Sequence, residues 1–193
     1  MAIFTDVQLM RAAREGEVGA AKALSVLSKR KVSVATRKAR MVPYEQTMEI
    51  FDKVKEHSIV AYTQAISGIG GMSILSMERA EALRLVDLFN GRPENTTKVM
   101  QELDRSTVRE TLNILANSYA TQLGNDSKVR ILLGVPGMVT RSHLVGMMEK
   151  LKTNSGKGEL AFLFETDLSV DDTEFKVSLY FFFLARMNDA ENN

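Results

Sequence analysis

At 193 residues, 45% of them hydrophobic, the chain is long enough to bury one sizeable core, and one compact domain is the simplest reading. Lysine and arginine number 25 against 24 aspartates and glutamates, a formal charge of +1 that gives no general attraction to nucleic acid or anionic lipid. The absence of cysteine excludes disulfides, a thiolate nucleophile and a cysteine-ligated metal, and the two histidines, His57 and His143, lack metal-ligand spacing.

The N-terminal stretch MAIFTDVQLMRAAREG reads as the start of a charged amphipathic helix, not a signal peptide. No apolar run reaches membrane-spanning length, so the expectation is a soluble cytoplasmic protein with no membrane partner. Thr5 as N-cap with Gln8 three residues on predicts a helix from Asp6 to about Ser28, in which Gly16 and Gly19 permit close packing. Val32–Ala35 alternates as a strand, which Arg40–Val42 extends toward Pro43, and a helix follows from Tyr44 to Glu56. Ser58–Ile66 and Gly71–Ser76 form a hairpin. The glycines at 68, 70 and 71 lie between two strands and not before a helix, so they mark a turn and not a phosphate cradle. Met77–Asn90 is a helix that Gly91 stops, with Pro93 beyond, and Arg92–Thr97 reads as a linker.

The order then repeats. Asp104 takes the N-cap role, Leu103 and Val108 make a staple, and one amphipathic helix runs into one buried strand ending at Pro136. At an offset of 99 residues Leu24 meets Leu123, Lys31 meets Arg130 and Val34 meets Leu133. His143–Lys152 is helix-like, and Leu160–Thr166 pairs with Phe175–Leu184 around residues 170–173. The predicted fold class is therefore α+β. It is a pseudo-twofold pair of α-β-α-β-β repeats, about 1–91 and 98–187, with long helices packed on antiparallel sheet and a polar tail at 188–193. The basic run of Lys29, Arg30, Lys31, Arg37, Lys38 and Arg40 has no interleaved aromatics, which argues against a nucleic-acid partner. Arg11, Arg14 and Arg37 have Glu15 and Glu17 nearby as charge partners. Most methionines read as core, with Met147 and Met148 as candidates for a partner surface. Phe181–Phe183 reads as a buried strand, or as an edge left bare by a missing final helix.

Along the central helix, Val108, Thr111, Leu112, Ile114, Leu115 and Tyr119 supply a core-facing side, while Ser106, Glu110, Asn113 and Asn117 share a separate stripe. A glutamate three residues before an asparagine is commonplace. Together with Ser106 and Pro136, however, the spacing Ser106-x3-Glu110-x2-Asn113-x22-Pro136 resembles the signature of the CheC/CheX/FliY family of chemotaxis phosphatases, in which an Asp or Ser, a Glu and an Asn precede a distant Pro. The words Glu110–Leu115, Ser118-Tyr119 and Ala82–Leu88 are similar to that family too.

The resemblance implies hydrolysis of the aspartyl phosphate on a CheY-like receiver domain. Asn113 would orient the water, Glu110 would pair with the receiver's lysine, Ser106 would support that edge, and Pro136 would shape the adjoining strand end. It implies no cofactor of the chain's own, with Mg²⁺ carried by the receiver. The offset puts a first copy of the signature at Val7, Arg11, Arg14 and Arg37, so arginine replaces the carboxylate, the carboxamide and the proline, and only the second copy should act. Asn117 stands where many relatives carry a small residue. Because no further domain follows Leu184, the chain reads as stand-alone CheC-like and not as the FliY branch. The alternative is an adaptor that binds a phosphorylated receiver or a CheD-like partner without turnover.

Overall fold

The capping box at Thr5 is present: Thr5 N–H donates to Gln8 Oε1 at 2.8 Å and Gln8 N–H to Thr5 Oγ1 at 3.3 Å, opening helix α1 (Asp6–Ser28). The computed structural model describes residues 5–51, 54–67, 71–128, 130–154, 160–171 and 173–185. After α1 come β1 (Val32–Pro43), α2 (Tyr44–Phe51), β2 (Ile59–Ser67), β3 (Gly71–Met77), α3 (Arg79–Phe89) and α4 (Glu102–Ser127). Then follow β4 (Leu132–Leu133), β5 (Gly137–Val139), α5 (Arg141–Asn154), β6 (Leu160–Val170) and β7 (Thr173–Ala185). The turn read at 68–70 and the tail at 188–193 lie outside the described residues.

The strands form one antiparallel sheet in the order β1-β6-β7-β3-β2-β4, with β5 also on β2. That order is unchanged when read from the other edge if β1 is exchanged with β4 and β5, β2 with β6, and β3 with β7. Period-two alternation divides the apolar side chains between two faces. Leu75, Phe164, Leu179 and Phe181 meet Leu9, Leu24, Leu112 and Tyr119 of α1 and α4 on one face. Val60, Ile74, Leu163 and Tyr180 meet Tyr44 of α2 and Leu144 and Met148 of α5 on the other, where the Tyr44 hydroxyl donates to Met148 O at 3.0 Å. The fold is mixed helix and antiparallel sheet, as the sequence predicts.

Helices α1 and α4 end 99 residues apart, at Lys29 (φ 54°) and Lys128 (φ 56°), each a left-handed C-cap. Their starts differ. Asp104 is not the N-cap: Gln101 caps α4, and Asp104 sits at the third helical position and accepts Gln101 N–H at 2.9 Å. Leu103, 65% exposed, makes no staple. The other side of the Asp104 carboxylate is held by Arg92 and by Asn90 Nδ2, the latter at 3.1 Å.

The same cluster corrects the reading of Arg92–Thr97 as a linker. Asp87, fully buried on α3, accepts Thr96 N–H at 2.8 Å and Thr97 N–H at 3.1 Å, which ties the segment to the core. Helix α3 begins at Arg79 because Met77 still pairs within β3, opposite Ile59 and Val177. Helix α2 stops at Phe51, with a turn at Glu56-His57. The fully buried Met148 is core and not a partner surface, and β7 is an inner strand, so Phe181 lies on no bare edge.

The buried strand read after α4 is instead broken. β4 spans two residues, Val135 is 94% exposed, and β5 resumes at Gly137. Pro136 supplies no N–H to a ladder, and Gly134 is drawn onto β2 by its N–H to Gln64 O at 2.8 Å and by Thr63 Oγ1 donating to its carbonyl at 2.7 Å. β1 runs unbroken through twelve residues, but its register shifts between Thr36 and Lys38. The irregular residue is Arg37, 99 before Pro136. Along the outer edge of β1, Glu17 Oε1 accepts Thr36 N–H at 2.6 Å and Ser25 Oγ accepts Val32 N–H at 2.9 Å.

Candidate functional site

Helix α4 is fixed at its centre and at its N-terminal end. At its centre Tyr119 is fully buried against Phe164 and Phe181, with ring centroids 5.5 and 4.7 Å away. The Tyr119 hydroxyl bonds to Thr36 Oγ1 at 2.8 Å and Thr166 Oγ1 at 3.3 Å, so α4 is pinned to β1 and β6. Burial pushes the phenol up to about 12, although the two threonines pull the other way. Gly16 of α1 lies against this ring, and a Cβ there would stand 3.1 Å from Tyr119 Cγ. At the N-terminal end, burial alone would raise the Asp104 carboxyl, but the Arg92 guanidinium and the Gln101 N–H outweigh it and hold it below the usual range.

The opposite side of this anchored helix carries Ser106, Glu110 and Asn117, all exposed, with Asn113 half-buried between them. Three of the four are joined. Asn117 Nδ2 donates to both Asn113 Oδ1 and Asn113 O, each at 2.8 Å, and Asn113 Nδ2 donates to Glu110 Oε2 at 3.4 Å. Ser106 lies one turn before Glu110 on the same stripe. Pro136 stands in the gap between β4 and β5, both paired with β2. A carboxylate and a carboxamide held side by side on an open helix face can contact a partner's cation and a phosphoryl group together.

The first-half positions are arranged differently. Val7, 80% exposed, lines a shallow groove on α1 with Arg11 and Arg14. Arg11 pairs with Asp126 of α4, and Arg37 pairs with Asp167 of β6 at 2.8 Å in a separate groove on the sheet. The acids that hold Arg11 and Arg37 are thus remote in sequence, whereas Glu17 serves the backbone of β1. The Asn117 bonds and the Asp87–Arg92–Asp104 cluster escape sequence reasoning. The only signal for the first was the four-residue step from Asn113.

Among the described residues no three His, Asp or Glu gather as a metal site, and no helix is long and apolar enough to cross a membrane. No family model matches the sequence. The structure of FliY from Thermotoga maritima matches with a TM-score of 0.64 at 16% identity, over 95% of this chain and 92% of that one. The fold is that of FliY, FliM and CheX. FliM in a FliG–FliM complex from H. pylori matches at 0.64 and 8% identity, over 93% of this chain and 94% of that one. The CheX–CheY complex from Borrelia burgdorferi, with BeF3 and Mg²⁺, matches at 0.53 and 16% identity, over 89% of this chain and 97% of that one. Because FliY, FliM and CheX share the fold, it does not select the stand-alone CheC branch.

Proposed function

We propose that this protein hydrolyses the aspartyl phosphate of a CheY-like receiver domain and so shortens a chemotaxis signal. The observation that carries the reading is the bonded pair Glu110 and Asn113 on the open face of an anchored helix, within a fold that CheX uses in a complex with CheY, BeF3 and Mg²⁺. An acyl phosphate needs chiefly a water held in line with the bond that breaks. The water oxygen bonds to phosphorus, the phosphorus–oxygen bond to the aspartate breaks, and aspartate leaves as carboxylate. The water's proton ends on the phosphate released. Asn113 accepts from the water and donates to a phosphoryl oxygen, staying neutral across the physiological range. Glu110 pairs with the receiver's active-site lysine and sets the docking register, while Mg²⁺ stays a ligand of the receiver. Ser106 supports this edge and Pro136 shapes the strand end beside it. The first-half set Val7, Arg11, Arg14 and Arg37 has no acid or amide for the task and is inactive.

A second reading is an adaptor that holds a phosphorylated receiver or a CheD-like partner without turnover; the same fold in a FliG–FliM complex favours it. Substoichiometric protein added to phosphorylated receiver separates the two. Multiple turnovers support the phosphatase, and saturable binding with a full phosphate lifetime overturns it in favour of the adaptor.

A further inference from the structure

The direction of the Glu110–Asn113–Asn117 chain is fixed by its ends. The main-chain oxygen of Asn113 can only accept, so the Asn117 atom 2.8 Å from it is the Nδ2 donor. That same nitrogen lies 2.8 Å from the Asn113 side chain, whose facing atom is therefore the acceptor Oδ1. Asn113 Nδ2 is then left to face the Glu110 carboxylate at 3.4 Å, where a donor is required. Turning either amide over would oppose two oxygens or two NH₂ groups.

We propose that Asn117, which lies outside the Ser106, Glu110, Asn113 and Pro136 signature, is a positioning residue: it locks the Asn113 carboxamide in one orientation and so decides which of its atoms meets the reacting group. The inference rests on the phosphatase reading above for its consequence, and on the hydrogen-bond chain for its geometry. Asn117 occupies one lone pair of Oδ1 and leaves the second for water. Glu110 engages one Nδ2 hydrogen and leaves the other for a phosphoryl oxygen. Without the lock, a helix-surface asparagine exchanges rotamers and presents its two ends in turn, so the productive fraction falls. With the lock, the ordering cost is met before the receiver arrives.

The test compares wild type, Asn117→Ala, the isosteric Asn117→Asp and Asn113→Ala on a phosphorylated CheY-like receiver, with NMR three-bond couplings through the Asn113 side chain measured in the free proteins. Loss of one such hydrogen bond corresponds to a fall in kcat of about 3- to 10-fold for Asn117→Ala, with KM unchanged. Asn117→Asp falls further, because an acceptor facing Oδ1 forces the amide to turn. The couplings across the Asn113 Cβ–Cγ bond, between Hβ and Nδ2, report one χ2 orientation of the carboxamide in wild type and an average in Asn117→Ala. If Asn113→Ala is impaired while both Asn117 variants match wild type, the positioning role is overturned and the phosphatase reading stands. If wild type and Asn113→Ala are indistinguishable, the phosphatase reading falls, and the couplings still decide the lock: a single rotamer retained in Asn117→Ala overturns it.

Discussion

Asn113 and Glu110 differ in what their removal costs. Under the proposed mechanism Asn113→Ala keeps the docking carboxylate and loses the water contact, so kcat on a phosphorylated receiver should fall by about 10²-fold with little change in KM. Under the same mechanism Glu110→Ala should lose the lysine contact and raise KM as well as lower kcat, and receiver phosphate lifetimes at several protein concentrations check both. Tyr119→Phe tests the anchor beneath them. It removes the hydroxyl that Thr36 and Thr166 share and should cost about 1 kcal/mol in urea unfolding. At this scale the sequence was legible where spacing alone decides: steps of three and four put Glu110, Asn113 and Asn117 on one stripe. It was not legible where contact decides. Asp104 looks like an N-cap from its neighbours, and its actual role depends on Arg92 and Asn90, which are brought near only when α3 and α4 pack.

Between the two long helices, a close approach falls where Gly16 of α1 meets Tyr119 of α4. Gly16→Val should destabilise by about 1–3 kcal/mol through overpacking, despite removing a helical glycine, and thermal unfolding measures it. The helices were the readable elements, since caps and periodicity are local; the ends of α1 and α4 fall at the 99-residue offset because a left-handed residue closes each. The segment from Ile131 to Pro136 misled because its composition is that of a buried strand, whereas Gly134 and Pro136 deprive it of a regular ladder. The matching irregularity at Arg37 carries no such sequence mark, as any residue can occupy a bulge.

For the molecule as a whole, acid sensitivity follows from the buried carboxylates. Burial favours the neutral form of Asp87, but hydrogen bonds from Thr97 and Thr96 and the charge of Arg92 prevail, and its carboxyl, like that of Asp104, is held below the ordinary value. Each therefore stabilises the fold fully above the unfolded carboxylate value of about 3.9, and that contribution is lost as pH falls through the lower folded value. Asp167 has the opposite sign: burial raises it against the pull of Arg37, so protonation there favours the fold. Asp104→Asn should lower stability at pH 7 and flatten its decline below about pH 4, read by urea unfolding at both pH values. The two borders of the sheet carry a separate consequence. One is only a few residues long and interrupted by a proline; the other has side chains of α1 bonded to the outward amides of Val32 and Thr36, and a kink at Arg37. The shortness of one border, and the capped amides of Val32 and Thr36 beside the kink on the other, hinder strand-by-strand addition on both flanks.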